Sequence, residues 1–132
     1  MMSAPAKKTI YQDDPLTRRI IACVIEVHKR LGPGLLEKLY KEAMVIELEL
    51  NGLKVSKNVK VLVEYRGQQI GEYFIDLLVD DIVILELKSV ERHDPVFEAQ
   101  ILSYMKLTGK KVGLLIIFNS KMVKDGIKRF VL

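Results

Sequence analysis

FIDLLVDDIVILELK, residues 74–88, decides how this chain is read. Two runs rich in Val, Ile and Leu flank Asp80-Asp81, which is strand composition on either side of a turn. Inside the runs stand three charged residues, Asp76, Glu86 and Lys88. An ionised group in the middle of an apolar strand is expensive to bury unless it is paired or bound to a metal. Glu86 and Lys88 are two apart, so both leave a strand from the same face. Parity tests the register. A two-residue Asp-Asp loop puts Asp76 opposite Leu85, and the faces do not match. A three-residue loop over 80–82 puts Val79 opposite Val83 and Asp76 opposite Glu86; such loops are the next most common hairpin connection. The expectation is that loop, or a bulge of equal effect, with both acids and the lysine on one face. Two acids meeting there repel, so a cation is the natural third party, and without it at least one carboxyl pKa should rise. Taken alone, the same stretch also reads as a solvated hairpin edge carrying a Glu–Lys pair.

Working outward, the period before the hairpin is also two. Val55, Val59, Val61 and Val63 predict a strand with a break at Lys57-Asn58, followed by a turn at Arg66-Gly67-Gln68. With strands over 69–79 and 83–90 this makes a three-stranded antiparallel meander, because the links are short. After the hairpin, His93-Asp94-Pro95 opens a helix that ends at Gly109, with Val96, Phe97, Ile101, Leu102, Met105 and part of Leu107 inward. Gln100 and Tyr104 are i and i+4 on one of its faces. Residues 112–118 are almost unbroken apolar and read as a strand buried on both faces. Strand, helix and strand form a natural crossover unit. A loop over 119–126 and a short strand over 127–132 close the chain.

Upstream, Asp13-Asp14-Pro15 starts a helix whose stripe is Leu16, Ile20, Cys23, Val24, Val27 and Leu31, stopped by Gly32-Pro33-Gly34. A second helix over 35–50 has a broad apolar side and ends at Asn51-Gly52. On spacing alone, Glu37 is a first-turn acid favoured by the helix dipole, Tyr40 a core residue and His28 a surface or capping histidine. Residues 1–12 read as a flexible leader and 13–132 as a single domain.

Composition sets the outer limits. The chain has 132 residues, 49% of them apolar and 29% charged, which is ordinary for a globular protein that buries a real core. The net charge of +4 is compatible with a polyanionic partner. The single cysteine, Cys23, has no disulfide partner and no zinc spacing, and reads as a small buried hydrophobe. No signal-peptide core and no membrane-length apolar run occurs, so the expectation is a cytoplasmic protein without a membrane partner.

The order helix, helix, three strands, helix, strand, with Asp76 followed by Glu86-Leu87-Lys88, resembles the PD-(D/E)xK nuclease superfamily, with Ile75 where that pattern has proline. Gly34-Leu35-Leu36-Glu37-Lys38-Leu39-Tyr40 is similar to the G-x-x-E-x-x-Y pattern of the GxxExxY family within it. The likeness continues over Val27 to Gly34, Gln100 to Tyr104 and Lys124 to Arg129, so it runs from about residue 15 to the C-terminus. It implies an α/β fold of mixed sheet, a restriction-endonuclease-like αβββαβ core with an extra N-terminal helix.

By the same resemblance Asp76 and Glu86 are metal ligands, with the Leu87 carbonyl as a further one, and Lys88 steadies the attacking water or the developing phosphorane charge. Glu37 matches a helix acid that assists the metal. Gln100 and Tyr104 match a Q-x-x-x-Y element near substrate phosphate, and Tyr40 and His28 match recurring family positions assigned here to substrate binding. Hard oxygen ligands suit Mg²⁺ or Mn²⁺ rather than zinc. The function implied is a metal-dependent nuclease on DNA, less so on RNA, and a homodimer is compatible with cutting both strands. The alternative is a non-catalytic module on the same fold that binds nucleic acid or protein, with Lys121, Lys124, Lys128 and Arg129 as a phosphate-facing cluster.

Overall fold

The computed structural model describes residues 7–8, 14–90 and 93–132. Its elements are β1 (Lys7–Lys8), α1 (Pro15–Leu31), α2 (Glu37–Leu50), β2 (Val55–Tyr65), β3 (Gln68–Val79), β4 (Val83–Lys88), α3 (Pro95–Thr108), β5 (Val112–Ile117) and β6 (Ile127–Val131), with a one-turn 3-10 helix at Val123–Gly126. The strands form one six-stranded sheet in the order β1-β6-β5-β4-β3-β2. β2, β3 and β4 are the antiparallel meander, β4 and β5 run parallel across the α3 crossover, and β6 returns antiparallel. This is the expected mixed α/β architecture. Most of the expected leader lies outside the described residues; within it, Lys7–Lys8 add a short edge strand against β6.

The helices form where their caps place them. The Asp14 carboxylate accepts from the Leu16 amide, with Pro15 in the first turn, and Asp94 does the same for Val96 ahead of Pro95. Gly109 closes α3 in the left-handed conformation. Thr17, Asp14 and the buried Arg129 form a polar link that ties the start of α1 to β6.

Each face of the sheet carries its own core. α1 and α2 pack Ile20, Val24, Val27, Tyr40, Met44 and Leu48 against Leu77, Val83, Leu85, Leu87, Leu114 and Ile116. On the opposite face α3 packs Ile101, Tyr104 and Met105 against Ile75, Leu78, Ile84, Leu115 and Phe130. The broad apolar side expected of α2 is narrower than its composition: Tyr40, Met44 and Leu48 are buried at a spacing of four, whereas Leu36, Leu39, Ile46 and Leu50 are exposed. Only one stripe of a helix lying on a sheet meets that sheet. For the same reason Leu31, Val96 and Leu107 face solvent.

The strand over residues 83–90 stops at Lys88, and the Lys88 carbonyl is already taken by the Phe118 amide. The break expected at Lys57-Asn58 is a change of face rather than a strand end. Asn58 has φ 53, and across it Val55 packs with the α1–α2 core while Val59 and Val61 pack with the α3 core. β3 makes the same exchange at Asp76: Ile75 belongs to one core, Leu77 and Val79 to the other. Beyond this switch, β2 and β3 continue as a long ribbon, closed by Arg66-Gly67 with both residues at positive φ.

Candidate active site

Asp80 and Asp81, at φ 51 and 58, close a three-residue loop that pairs Val79 with Val83, Leu78 with Ile84 and Leu77 with Leu85. Continued by one step, that register sets Asp76 opposite Glu86. There the regular ladder stops and the side chains take over its hydrogen bonds. The Asp76 amide donates to Glu86 Oε2 at 2.8 Å, and the Leu87 amide donates to Asp76 Oδ2 at 2.8 Å. Each acid is therefore locked to the other's strand. The face switch at Asn58 and Asp76 opens this gap between two otherwise continuous strands.

Around the pair the charges are unevenly shared. Glu86 is only 4% exposed. Burial, reinforced by the negative charge of Asp76, pushes its carboxyl up to about pKa 8. Glu37, in the first turn of α2, is also raised, by burial first and by Asp76 second. Its electrostatic neighbours include Lys88 and Lys41, so the first-turn acid does reach the site.

Asp76 Oδ1 faces Lys41 Nζ at 3.2 Å, and the same ammonium donates to Asn58 Oδ1 at 2.9 Å. Nothing local in the sequence distinguishes Lys41. It is one lysine among many on a polar helix face, and only the kink at Asn58 reveals its partner. Its one signal is position, four residues after Glu37 and so on the same helix face.

Lys88 leaves β4 on the same side as Glu86 and reaches α3. Its ammonium donates to Gln100 Oε1 at 3.4 Å and lies 4.8 Å from the centre of the Phe97 ring. Tyr104, one turn beyond Gln100, is nearly buried; burial, then the charge of Glu86, raises its hydroxyl to about pKa 12. It stays a protonated donor across any working pH. Asp76, Glu86, Lys88, Glu37, Gln100 and Tyr104 are thus brought together from four elements.

Tyr40 and His28 are placed differently. Tyr40 is fully buried, stacked on Phe118 at 4.3 Å between ring centres. Its hydroxyl donates to the Gly32 carbonyl and accepts from the Leu35 amide at 3.2 Å, so it clasps the turn that leads into Glu37. His28 Nε2 lies 2.9 Å from the Ser120 carbonyl and lines a cavity of about 260 Å³ with Lys29, Lys121 and Lys124. Lys128 is engaged with Glu98 at 3.2 Å, and Arg129 is buried against Asp14 and Thr17. Of the four basic residues expected to face phosphate together, Lys121 and Lys124 are exposed.

The donor chemistry fits a hard cation. Both principal groups are carboxylates, and the buried one is hard to ionise for want of compensating charge. Among the described residues no group of three or more His, Cys, Asp or Glu side chains is placed to hold a metal ion. Mg²⁺ is held by one or two carboxylates and completes its shell with water and substrate oxygens, so an open acid pair is compatible with it.

The model of a family described as the PD-(D/E)XK nuclease superfamily matches residues 14–130. No curated protein and no solved structure matches the chain significantly.

Proposed function

The chain belongs to the PD-(D/E)XK nuclease superfamily, and from that premise we propose that it is a metal-dependent nuclease hydrolysing phosphodiester bonds in DNA. The reading rests above all on one observation: two carboxylates, each hydrogen-bonded to the backbone of the other's strand, one of them buried. Such a pair is poorly suited to stabilising a fold and well suited to receiving a cation. Asp76 and Glu86 would hold Mg²⁺ or Mn²⁺, with the Leu87 carbonyl as a further ligand and Glu37 assisting from α2. A cation held there would supply Lewis acidity to the scissile phosphate and lower the pKa of water.

The remaining work falls to the chain itself. Lys88, steadied by Gln100, places a positive charge where negative charge builds on the phosphoryl oxygens. Tyr104, protonated at neutral pH, donates to phosphate. Glu37 aids from the α2 side, and the Tyr40 clasp positions its turn. His28, beside Lys29, Lys121 and Lys124, meets the substrate backbone further out. No helix among the described residues is long and apolar enough to cross a membrane. We assign the activity to the cytoplasm, and a homodimer, with one acid pair in each protomer, is the assembly we propose.

The test is incubation with single- and double-stranded DNA and RNA in Mg²⁺, in Mn²⁺ and in chelator. The expected result is metal-dependent cleavage that falls by about 100-fold or more in Glu86→Ala and in Lys88→Ala. Cleavage that survives both substitutions comes from a contaminant and refutes the assignment. Binding without metal-dependent cleavage returns the protein to the class of non-catalytic modules.

A further inference from the structure

Beside the acid pair lies a cleft of about 420 Å³, between α3 and the outer ribbon of β2 and β3. This volume is in the range of small-ligand sites, which run from about 300 to 1,000 Å³. Its walls are of two kinds. Val63 and Tyr73 from the ribbon and Leu107 from α3 are apolar; Gln100, Ser103 and Lys106 bring polar groups along the helix. Tyr104 joins them at the inner end.

Two features of this cleft go beyond packing. Tyr73 is 49% exposed although it lies in a strand beside a helix. Its ring centre is 5.4 Å from that of Tyr104 and tilted by 57°, so the rings already touch and nothing fits between them. The outer part of the Tyr73 ring is therefore turned to the open cleft. Second, Gln100 both lines the cleft and holds Lys88, so the cleft begins where the lysine of the acid site ends.

We propose that this cleft receives one unpaired nucleobase of the substrate, stacked on Tyr73, with its phosphate directed toward Lys88 and the acid pair. A base inside a duplex has both faces covered by its neighbours and cannot stack on a protein ring. An unpaired base offers its face to any aromatic side chain, whatever its sequence. The substrate class that follows is single-stranded nucleic acid, or a strand end or flap whose terminal bases are unpaired. Lys106, exposed at the rim, meets an adjoining phosphate. This assignment rests on the nuclease reading for the direction of the phosphate, and on the cleft alone for the base.

Two assays on the same full-length preparation separate the two claims. In chelator, where no cleavage occurs, a short single strand carrying 2-aminopurine is titrated with protein, and a blunt duplex of the same sequence competes. The cleft predicts quenching of the 2-aminopurine fluorescence on binding and a clear preference for the single strand. Tyr73→Ala weakens single-strand binding by about fivefold or more, while Tyr73→Phe retains both affinity and quenching.

Ser103→Leu, which narrows the cleft from the exposed side of α3 without adding an aromatic face, reproduces the loss and decides the matter should Tyr73→Ala fail to fold. Equal binding of duplex and single strand overturns the inference, as does wild-type affinity in Tyr73→Ala or in a folded Ser103→Leu. Cleavage in Mn²⁺ is scored separately: its absence on every substrate refutes the nuclease reading and leaves the binding result to stand on its own.

Discussion

Glu86 is the residue on which the chemistry turns, and its environment makes a measurable demand. In the folded chain it keeps its proton up to about pH 8, whereas an unfolded chain releases it near 4.5. Between those values the folded state holds the extra proton, so raising the pH favours unfolding. The stabilisation is fully present below the unfolded value and is lost as pH rises through the folded one. In chelator, the melting temperature should therefore fall between pH 5 and pH 8.5, in proportion to the buried charge created. Glu86→Gln should flatten that slope and be the more stable protein at the alkaline end, while Mn²⁺ should restore the wild type there. A slope unchanged in Glu86→Gln contradicts this account.

Lys41 makes the complementary prediction. It is a built-in counter-charge on Asp76, mostly buried, and competes with any added cation. Lys41→Met should destabilise the metal-free protein by about 1–3 kcal/mol, measured by urea unfolding. It should at the same time tighten Mn²⁺ binding in a calorimetric titration. Weaker Mn²⁺ binding would mean that Lys41 supports the cation site instead of competing with it.

At the scale of elements, the site depends on how two segments are interrupted. The β2–β3 ribbon changes face at Asn58 and Asp76, which frees the acid pair from the ladder. The turn between α1 and α2 is held by the Tyr40 hydroxyl, and Glu37 enters the site from the end of that turn. Tyr40→Phe keeps the ring stacked on Phe118 and removes only the clasp. It should lower stability by about 1–2 kcal/mol in urea unfolding, with a loss of cleavage rate smaller than that of Glu86→Ala. Equal losses in the two variants would make the Tyr40 hydroxyl a group that touches substrate.

For the molecule as a whole, the hairpin was legible because its two strands alternate next to the loop, over 77–79 and 83–88, and the loop length leaves one register that aligns Asp76 with Glu86. The helix boundaries were legible from Asp14-Pro15, Asp94-Pro95 and Gly109, whose chemistry acts within a few residues. What sequence reasoning missed depends on contacts distant in the chain. The burial of Tyr40, Met44 and Leu48 but not Leu39 or Ile46 is set by the angle at which α2 meets the sheet. Lys41 became part of the site through a kink at Asn58, seventeen residues later. The parity of Val55 with Val59 and Val61 failed at that same residue, since one left-handed residue reverses the alternation that parity assumes. The cleft at Tyr73 needs the ribbon and α3 to lie side by side, which no local pattern encodes.

The central claim is that Asp76 and Glu86 form a cation site, and crystals soaked in Mn²⁺ test it most directly through anomalous scattering. The account predicts a single strong peak between the two carboxylates, with Lys41 drawn away from Asp76 and the peak absent in Glu86→Gln. A peak elsewhere, or none while Lys41 remains on Asp76 at saturating Mn²⁺, would contradict it.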